Sequence, residues 1–345
     1  MKKNLLFLAA FFLIFTACKT TYVTVNVLKP AQISIPSRIN NLVFINRSLP
    51  AKSERFKNIL EGAITGEAIL ADRRGAEECI KGVMTSLNQS PRYKAVAPAN
   101  VDLRGTGTRE FPPVLDWKTV EDICRQNQAD ALITLDVFDS NNAVKIGERQ
   151  VERKEGERVI KYTEFLATLR VDVETGWRIY FPADKRVIDQ NIYADSRSWS
   201  SANEARKKAE AGLPFLDNAI ADAGFFAGSQ YAYRISPMWM NVSRYYYKKG
   251  NDDFKTADRY GKSGDWQGAA HIWEKYINAS DPKIAGNACY NMALAEEMEG
   301  NLEQALEWAR KSYTKYNNKK GRYYANILQQ RLRDQERLDQ QMQRE

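Results

Sequence analysis

The chain has 345 residues, of which 43% are hydrophobic and 27% are charged, a composition that excludes an intrinsically disordered protein. Its length is typical of a protein with two domains. The formal net charge of +8 is spread along the sequence, which argues against a nucleic-acid-binding protein because such proteins concentrate basic residues on one surface.

Residues 1–17 are predicted to be a signal peptide. Two lysines follow Met1, and residues 5–15 form an apolar run that is too short to span a membrane as a helix. The small residues Thr16 and Ala17 directly precede Cys18. This arrangement resembles the lipobox of bacterial lipoproteins; a secretory leader that contains a cysteine, or a short membrane anchor, is the alternative.

The lipobox resemblance implies that Cys18 is the lipidation site, with a diacylglyceryl group on its thiol and an acyl group on its amine. Two or more acyl chains hold a protein stably at a membrane without spanning it. Lys19 is not the aspartate that retains lipoproteins in the inner membrane, so we expect an outer-membrane lipoprotein. The lack of an acidic run after Cys18 favours the periplasmic face over the cell surface. Residues 18–38 are predicted to be the lipidated cysteine and a tether, part of which forms a first strand.

The remaining cysteines, Cys79, Cys124 and Cys289, are far apart, and the only histidine is His271. Structural zinc needs four ligands at close spacings, so we expect no metal site, and no motif indicates a cofactor. Each cysteine lies among helix-like residues, which predicts three buried free thiols. A disulfide between Cys79 and Cys124 in an oxidising compartment is the alternative.

Residues 39–235 are predicted to form an α+β domain, with a mixed sheet that includes an antiparallel meander and with helices on one side. Strands are predicted at 42–45, 92–98, 129–140 and 185–195. Helices are predicted at 75–89, at 116–128 with Asp116 as N-cap, and at 202–233 with an interruption near Pro214.

The meander is predicted over residues 143–182, with turns at Glu155-Gly156 and Thr175-Gly176. Between these turns, apolar and polar residues alternate from Phe165 to Val173, which is typical of a half-buried antiparallel strand. The charges of residues 148–161 are then the solvated face and tip of a long hairpin.

The order of these elements, with the strand "ADALITLDV" before the meander, is similar to the periplasmic modules of envelope-assembly lipoproteins of the curli-secretion and penicillin-binding-protein-activator types. The resemblance covers residues 39–195 and depends on the pattern of elements, not on a motif.

Residues 236–345 are predicted to form an all-α domain of tetratricopeptide-like helical repeats. Segments 257–282 and 293–313 match at an offset of 36 residues, close to the 34-residue tetratricopeptide period. The matched small residues let paired helices approach each other, and each glycine ends a first helix in the left-handed conformation. The matched pairs are Ala257 with Ala293, Gly264 with Gly300, and Ala269 with Ala305.

In the first repeat, Tyr260, Trp266 and Trp273 are predicted to fill the space between the two helices. The second repeat departs from this pattern, with Glu296 in the place of Tyr260 and Ala309 in the place of Trp273. Residues 322–338 are predicted to be the capping helix that repeat arrays require. A plain helical bundle with accidental spacing is the alternative.

The stretch "RYYYKKGNDDF" at 244–254 joins the two predicted domains. Its aromatic and lysine residues could stack against sugars or bases. We interpret it as a helix that ends at Lys248-Lys249-Gly250, with aromatics that cover the domain junction.

Together with the lipobox, "LVFINRS" and the repeats, this stretch is similar to a family of Gram-negative bacterial lipoproteins that have an α+β N-terminal domain and C-terminal tetratricopeptide-like repeats. The resemblance spans nearly the whole chain, and it implies an architecture without an activity.

Signatures of catalysis are scarce: the sequence has no GxSxG, HExxH or Walker loop, so we expect no enzyme. Asp136 and Asp139 could be paired carboxylates for glycan hydrolysis, although solvated acids at a strand end are more common.

The sequence therefore predicts a lipid-anchored envelope protein whose repeats are a scaffold for a protein partner. A glycan-binding lipoprotein of a polysaccharide uptake system is the alternative. The expected partners are the membrane, through Cys18, and an envelope protein, but no nucleic acid.

Overall fold

The computed structural model describes residues 20–49, 66–98, 101–107 and 109–342. The predicted signal peptide and Cys18 lie outside the described residues. The chain divides into two compact units. We call Met1–Val27 with Met240–Glu336 the helical unit, and Leu28–Trp239 with Arg337–Glu345 the sheet unit. As predicted, the N-terminal part of the chain combines sheet and helices, and the C-terminal part is helical.

The sheet unit contains a five-stranded sheet with the strand order β3-β2-β4-β5-β6. β2 runs parallel to β3 and β4, whereas β4, β5 and β6 are antiparallel neighbours. The strands are β2 (Asn41–Asn46), β3 (Lys94–Val96), β4 (Ala131–Glu155), β5 (Arg158–Phe181) and β6 (Arg186–Asn203). The helices of this unit are α1 (Gly66–Leu87), α2 (Trp117–Gln126), α3 (Arg206–Ala211) and α4 (Leu216–Ile235).

Helices pack on both faces of the sheet, which corrects the prediction of helices on one side. Successive side chains of a strand point to opposite faces. Phe44 therefore joins the buried cluster formed with α1 and α4, while its neighbour Val43 joins a second cluster formed with α2. The uninterrupted apolar run of β2 is what a strand covered on both faces requires. Asp116 caps α2, as predicted, by accepting a hydrogen bond from the Thr119 N–H at 2.9 Å.

The predicted turn at Thr175-Gly176 is wrong, because β5 runs straight through it. Gly176 pairs with Val137, next to an irregularity of the β4–β5 register. A Cβ at position 176 would lie 2.7 Å from the Val137 side chain. The glycine is thus needed for a close approach of two strands.

The turn at Glu155-Gly156 is confirmed, and Gly156 has a φ of +62°. The charged residues that surround this turn are almost all exposed.

The three described cysteines are buried free thiols, as predicted. Burial raises the pKa of the Cys124 thiol to about 12 and that of Cys289 to about 11, and it raises the pKa of Cys79 further. These thiols are therefore protonated packing groups at neutral pH.

In the helical unit, β1 (Thr20–Lys29) pairs with β7 (Met238–Tyr247) in a two-stranded sheet. The interpretation of residues 244–248 as the end of a helix is therefore wrong. Because side chains alternate along β7, Tyr246 contacts the rings of Trp266 and Trp273, while its neighbours Tyr245 and Tyr247 contact Tyr290.

Five helices complete the described part of the helical unit. Two helical hairpins are followed by a long final helix. No helix in the described parts of the chain is long and apolar enough to cross a membrane. The helices are α5 (Asp252–Lys262), α6 (Trp266–Glu274), α7 (Pro282–Glu299), α8 (Leu302–Thr314) and α9 (Lys319–Met342).

Candidate functional site

Most of the predicted repeat-packing residues lie inside the two hairpins or at their turns. Five of them are completely buried: Ala257, Ala269, Trp273, Ala293 and Ala305. Gly264 follows α5 with a φ of +84°, and Gly300 follows α7 with a φ of +86°. In both places the left-handed conformation closes the hairpin at a position where a Cβ would be strained.

Tyr260 lies on the surface of the first hairpin, and the prediction that it fills the space between the two helices is wrong. Its side chain is 41% exposed, and its ring lies against Gly268 on the outside of the first hairpin. The inward face of α5 is formed by Ala257 and Gly261, and a residue one position from Gly261 points about 100° away from it. Tyr260 covers the surface of the hairpin, and Trp273 fills its interior.

The two carboxylates considered as a catalytic pair are held in separate ion pairs. Asp136 is completely buried, 2.8 Å from Arg178 and 3.4 Å from Arg47. Asp139 is paired at the surface with Arg109 at 2.6 Å. Within the described residues, no group of three His, Cys, Asp or Glu side chains could hold a metal ion.

A cleft of about 780 Å³ lies in the helical unit, where α7 and α9 begin. Its walls are the chain that follows β7, the first turn of α7 and the loop between α8 and α9. We call it the basic cleft, because four lysines line it against a single acidic residue, Asp281. The four lysines are Lys249, Lys283, Lys319 and Lys320.

The chain that follows β7, which forms one wall of the basic cleft, is held by Asn291, a completely buried residue of α7. Its side-chain oxygen accepts a hydrogen bond from the Tyr247 N–H, and its side-chain nitrogen donates to the Tyr247 carbonyl, each at 2.8 Å. One amide group thus satisfies both backbone groups at the end of β7, which fixes this strand against α7.

The loop between α8 and α9 is fixed on the first turn of α7. The Ser312 hydroxyl, at the end of α8, donates to the Gly286 carbonyl at 2.7 Å, and the side-chain nitrogen of Asn318, in the loop, donates to the same carbonyl at 3.4 Å. A Cβ at position 286 would lie 3.0 Å from the Cβ of Tyr316, so the close approach favours a small residue here. Asn317 takes the left-handed conformation of the turn, with a φ of +52°.

Buried charge connects the elements that line the cleft. Glu297 of α7 accepts hydrogen bonds from Arg244 of β7 at 2.9 and 3.0 Å and from Arg331 of α9 at 2.6 Å. Burial alone would raise the pKa of Glu297, but the hydrogen bonds and charge of Arg244, together with hydrogen bonds from Tyr324 and Arg331, hold it below its usual value. The carboxylate is therefore ionised and holds three elements together.

The electrostatic character of the basic cleft is positive. Lys283, Lys319 and Lys320 are exposed, and none of them forms a salt bridge with a described residue. The ammonium of Lys320 lies 4.4 Å from the centre of the Tyr245 ring, which orients it without neutralising it. The N-termini of α7 and α9 also lie here, and the N-terminus of a helix is the positive end of its dipole. The arrangement is suited to a carboxylate or another anion.

The sequence by itself does not reveal this site. The lysines that form it are separated by up to 71 residues, and of the four only Lys249 lies in a stretch that the sequence singles out, as a predicted helix end. The available signals were the helix start "DP" at 281–282 and the basic turn "NNKK" at 317–320. Neither signal shows that the two turns lie side by side.

The chain matches two protein-family models, one in each part. Residues 39–247 match the family model described as "Domain of unknown function (DUF8603)", and residues 255–332 match the one described as "Domain of unknown function (DUF6340)". No curated protein matches the chain. Among solved structures, the chain is similar to a neuraminyllactose-binding hemagglutinin homolog from Helicobacter pylori, with 9% sequence identity and a TM-score of 0.22. This match covers 59% of the present chain and 87% of the other.

Proposed function

For this chain, which belongs to the family described as "Domain of unknown function (DUF8603)", we propose the function of a lipid-anchored scaffold in the cell envelope. Its helical unit binds a protein partner, and the basic cleft is the place of contact. The lipid on Cys18 attaches the chain to the outer membrane, on the periplasmic face.

The observation on which this proposal depends is the basic cleft itself. Four lysines and two helix N-termini surround a cleft of about 780 Å³ that has one acidic lining residue. Such a surface attracts and orients acidic side chains of a partner. Helical-repeat surfaces commonly hold an extended or helical segment of another protein.

The hairpins support the interpretation as tetratricopeptide-type repeats. α5–α6 and α7–α8 follow each other with buried alanines at matched positions, and each first helix ends near a left-handed glycine. α9 packs Tyr324 and Leu328 against the same core and leaves a mostly polar outer face, as a capping helix does.

The use of aromatic side chains favours a protein partner over a glycan. A glycan-binding site would present a flat array of exposed Trp and Tyr rings. Here Trp266 and Trp273 are buried, Tyr245, Tyr246 and Tyr247 pack against other rings, and the exposed rings of Tyr260 and Tyr323 lie singly on different helices.

The test is crosslinking in intact cells that produce either the native chain or a charge-reversed chain, Lys283→Glu with Lys319→Glu. We expect the charge-reversed chain to lose the crosslinked protein, because acidic side chains would then repel the segment that the lysines attract. The matched control is Lys275→Glu with Arg310→Glu, two exposed basic residues of the same unit that do not line the cleft.

Two results would overturn the proposal. If the native and charge-reversed chains retrieve the same partner equally well, the basic cleft is not the contact. If the charge-reversed chain instead loses retention on a polysaccharide column, the chain binds a glycan. Unchanged thermal unfolding of each variant shows that the fold is intact.

A further inference from the structure

We infer that the segment bound at the basic cleft has acidic residues followed by an apolar side chain, and that the outer face of α9 binds that apolar side chain. The inference rests on the proposed function and names the chemistry of the partner.

The outer face of α9 exposes two large apolar residues. The side chain of Tyr323 is 61% exposed and that of Ile327 is 42% exposed. Residues four positions apart on a helix are neighbours on one face, so the two side chains form one surface. We call this pair the apolar strip.

The apolar strip begins at the basic cleft. Lys319 lines the cleft and precedes Tyr323 by four residues, so Lys319, Tyr323 and Ile327 follow one line along α9. Ile327 lies eight positions after Lys319, which corresponds to about 12 Å along the helix at 1.5 Å per residue. A bound segment of four or five extended residues would cover that distance.

The two side chains of the apolar strip are not part of the buried core. α9 is fixed to the helical unit by a separate face, about 100° around the helix, where Tyr324 is 2% exposed and Leu328 is completely buried. The guanidinium of Arg322 lies 5.3 Å from the centre of the Tyr323 ring and 5.6 Å from that of Tyr313, which holds the exposed ring in place. An ordered, exposed aromatic ring is a typical anchor for a partner.

The charges around the apolar strip indicate which partner it takes. No acidic residue occurs from Lys319 to Arg333, whereas five basic residues do: Lys319, Lys320, Arg322, Arg331 and Arg333. Arg331 is neutralised by Glu297, whereas Lys319, Lys320 and Arg322 give the apolar strip a basic border at the end that meets the cleft. A second copy of the chain that docked through the same face would bring like charges together. An acidic segment with an apolar residue would complement both the basic charges and the apolar strip.

The experiment uses the full mature chain in detergent and four fluorescein-labelled peptides of equal length. The first peptide has an Asp/Glu run followed by Leu residues, and the second has the same run followed by Ser. The third and fourth replace the acidic run by Asn/Gln. Fluorescence anisotropy gives the Kd of each peptide at low and at physiological salt.

The first peptide is expected to bind at least about tenfold more tightly than the second, a ratio that corresponds to one well-buried apolar anchor. Tyr323→Ser and Ile327→Ser, made separately and together, are expected to remove this difference. Tyr260→Ser, at another partly exposed tyrosine of the same unit, is the matched control and is expected to change nothing.

The outcomes separate the two proposals. If the first two peptides bind equally and the substitutions in the apolar strip have no effect, while Lys283→Glu with Lys319→Glu weakens both peptides, the strip inference is wrong and the proposed function stands. If the lysine variant leaves the binding of both acidic peptides unchanged, the proposed function is wrong as well.

Discussion

The side-chain amide of Asn291 hydrogen-bonds to both the N–H and the carbonyl of Tyr247, at 2.8 Å each. Asn291 lies on α7 and Tyr247 ends β7, so this pair sets the position of the strand that leads into the basic cleft.

Asn291→Ala is expected to lower the free energy of unfolding by about 1–3 kcal/mol, since it leaves two backbone polar groups of Tyr247 without their partners. Urea denaturation followed by circular dichroism measures the loss. Asn326→Ala, at an exposed position of α9, is the control and should change stability by no more than about 0.5 kcal/mol. Equal losses in the two variants would show that the amide bridge does not fix the strand.

Gly176→Ala is expected to destabilise the sheet unit by about 1–3 kcal/mol, because the new Cβ would lie 2.7 Å from Val137 and force two paired strands apart. Gly147 lies in β4 with open space around it, so Gly147→Ala should be neutral or slightly stabilising. Thermal unfolding compares the two variants. A loss of stability in Gly147→Ala as large as that in Gly176→Ala would contradict the packing argument.

The raised pKa of Asp72 predicts that the stability of the protein depends on pH. Burial, the largest effect, raises the pKa of this carboxyl to about 6, although the Ser140 hydroxyl donates a hydrogen bond to it. Its pKa in an unfolded chain is about 3.9. The folded chain therefore binds the proton more tightly, so the contribution of Asp72 to stability decreases as the pH rises from about 4 to 6 and stays at its lower value above that range.

Asp72→Asn removes the ionisation, so its stability relative to the native chain is expected to rise by about 2 kcal/mol between pH 4 and pH 7. Urea denaturation of both chains at a series of pH values measures the difference. Parallel pH profiles of the native and variant chains would show that Asp72 does not titrate with a raised pKa.

Cys18→Ser tests the lipid anchor. The native chain is expected to partition into the detergent phase, because two or more acyl chains on Cys18 hold it at the membrane. The variant should remain uncleaved or appear in the aqueous phase. Phase separation in a nonionic detergent, followed by mass spectrometry of the N-terminal peptide, measures both outcomes. Native protein in the aqueous phase, with an unmodified cysteine, would contradict the lipoprotein prediction.

Local patterns in the sequence determined most of the elements. The apolar run of β2, the capping residue Asp116 and the alternation in β5 each depend on neighbouring residues, so the sequence is enough to predict them. The same holds for Gly264 and Gly300, because the left-handed conformation that ends a helix is a local preference of glycine.

The tertiary structure decided which of these elements meet. Three of residues 244–247 are tyrosines, which favour strand over helix, but the partner strand β1 lies more than 200 residues earlier, so no local pattern shows the pairing. Gly176 looks like a turn residue in the sequence and instead allows a contact with Val137, 39 positions away. The basic cleft depends most on the fold, because the proximity of Lys283 and Lys319 results from the packing of the α8–α9 loop on α7, a contact that no spacing along the chain encodes.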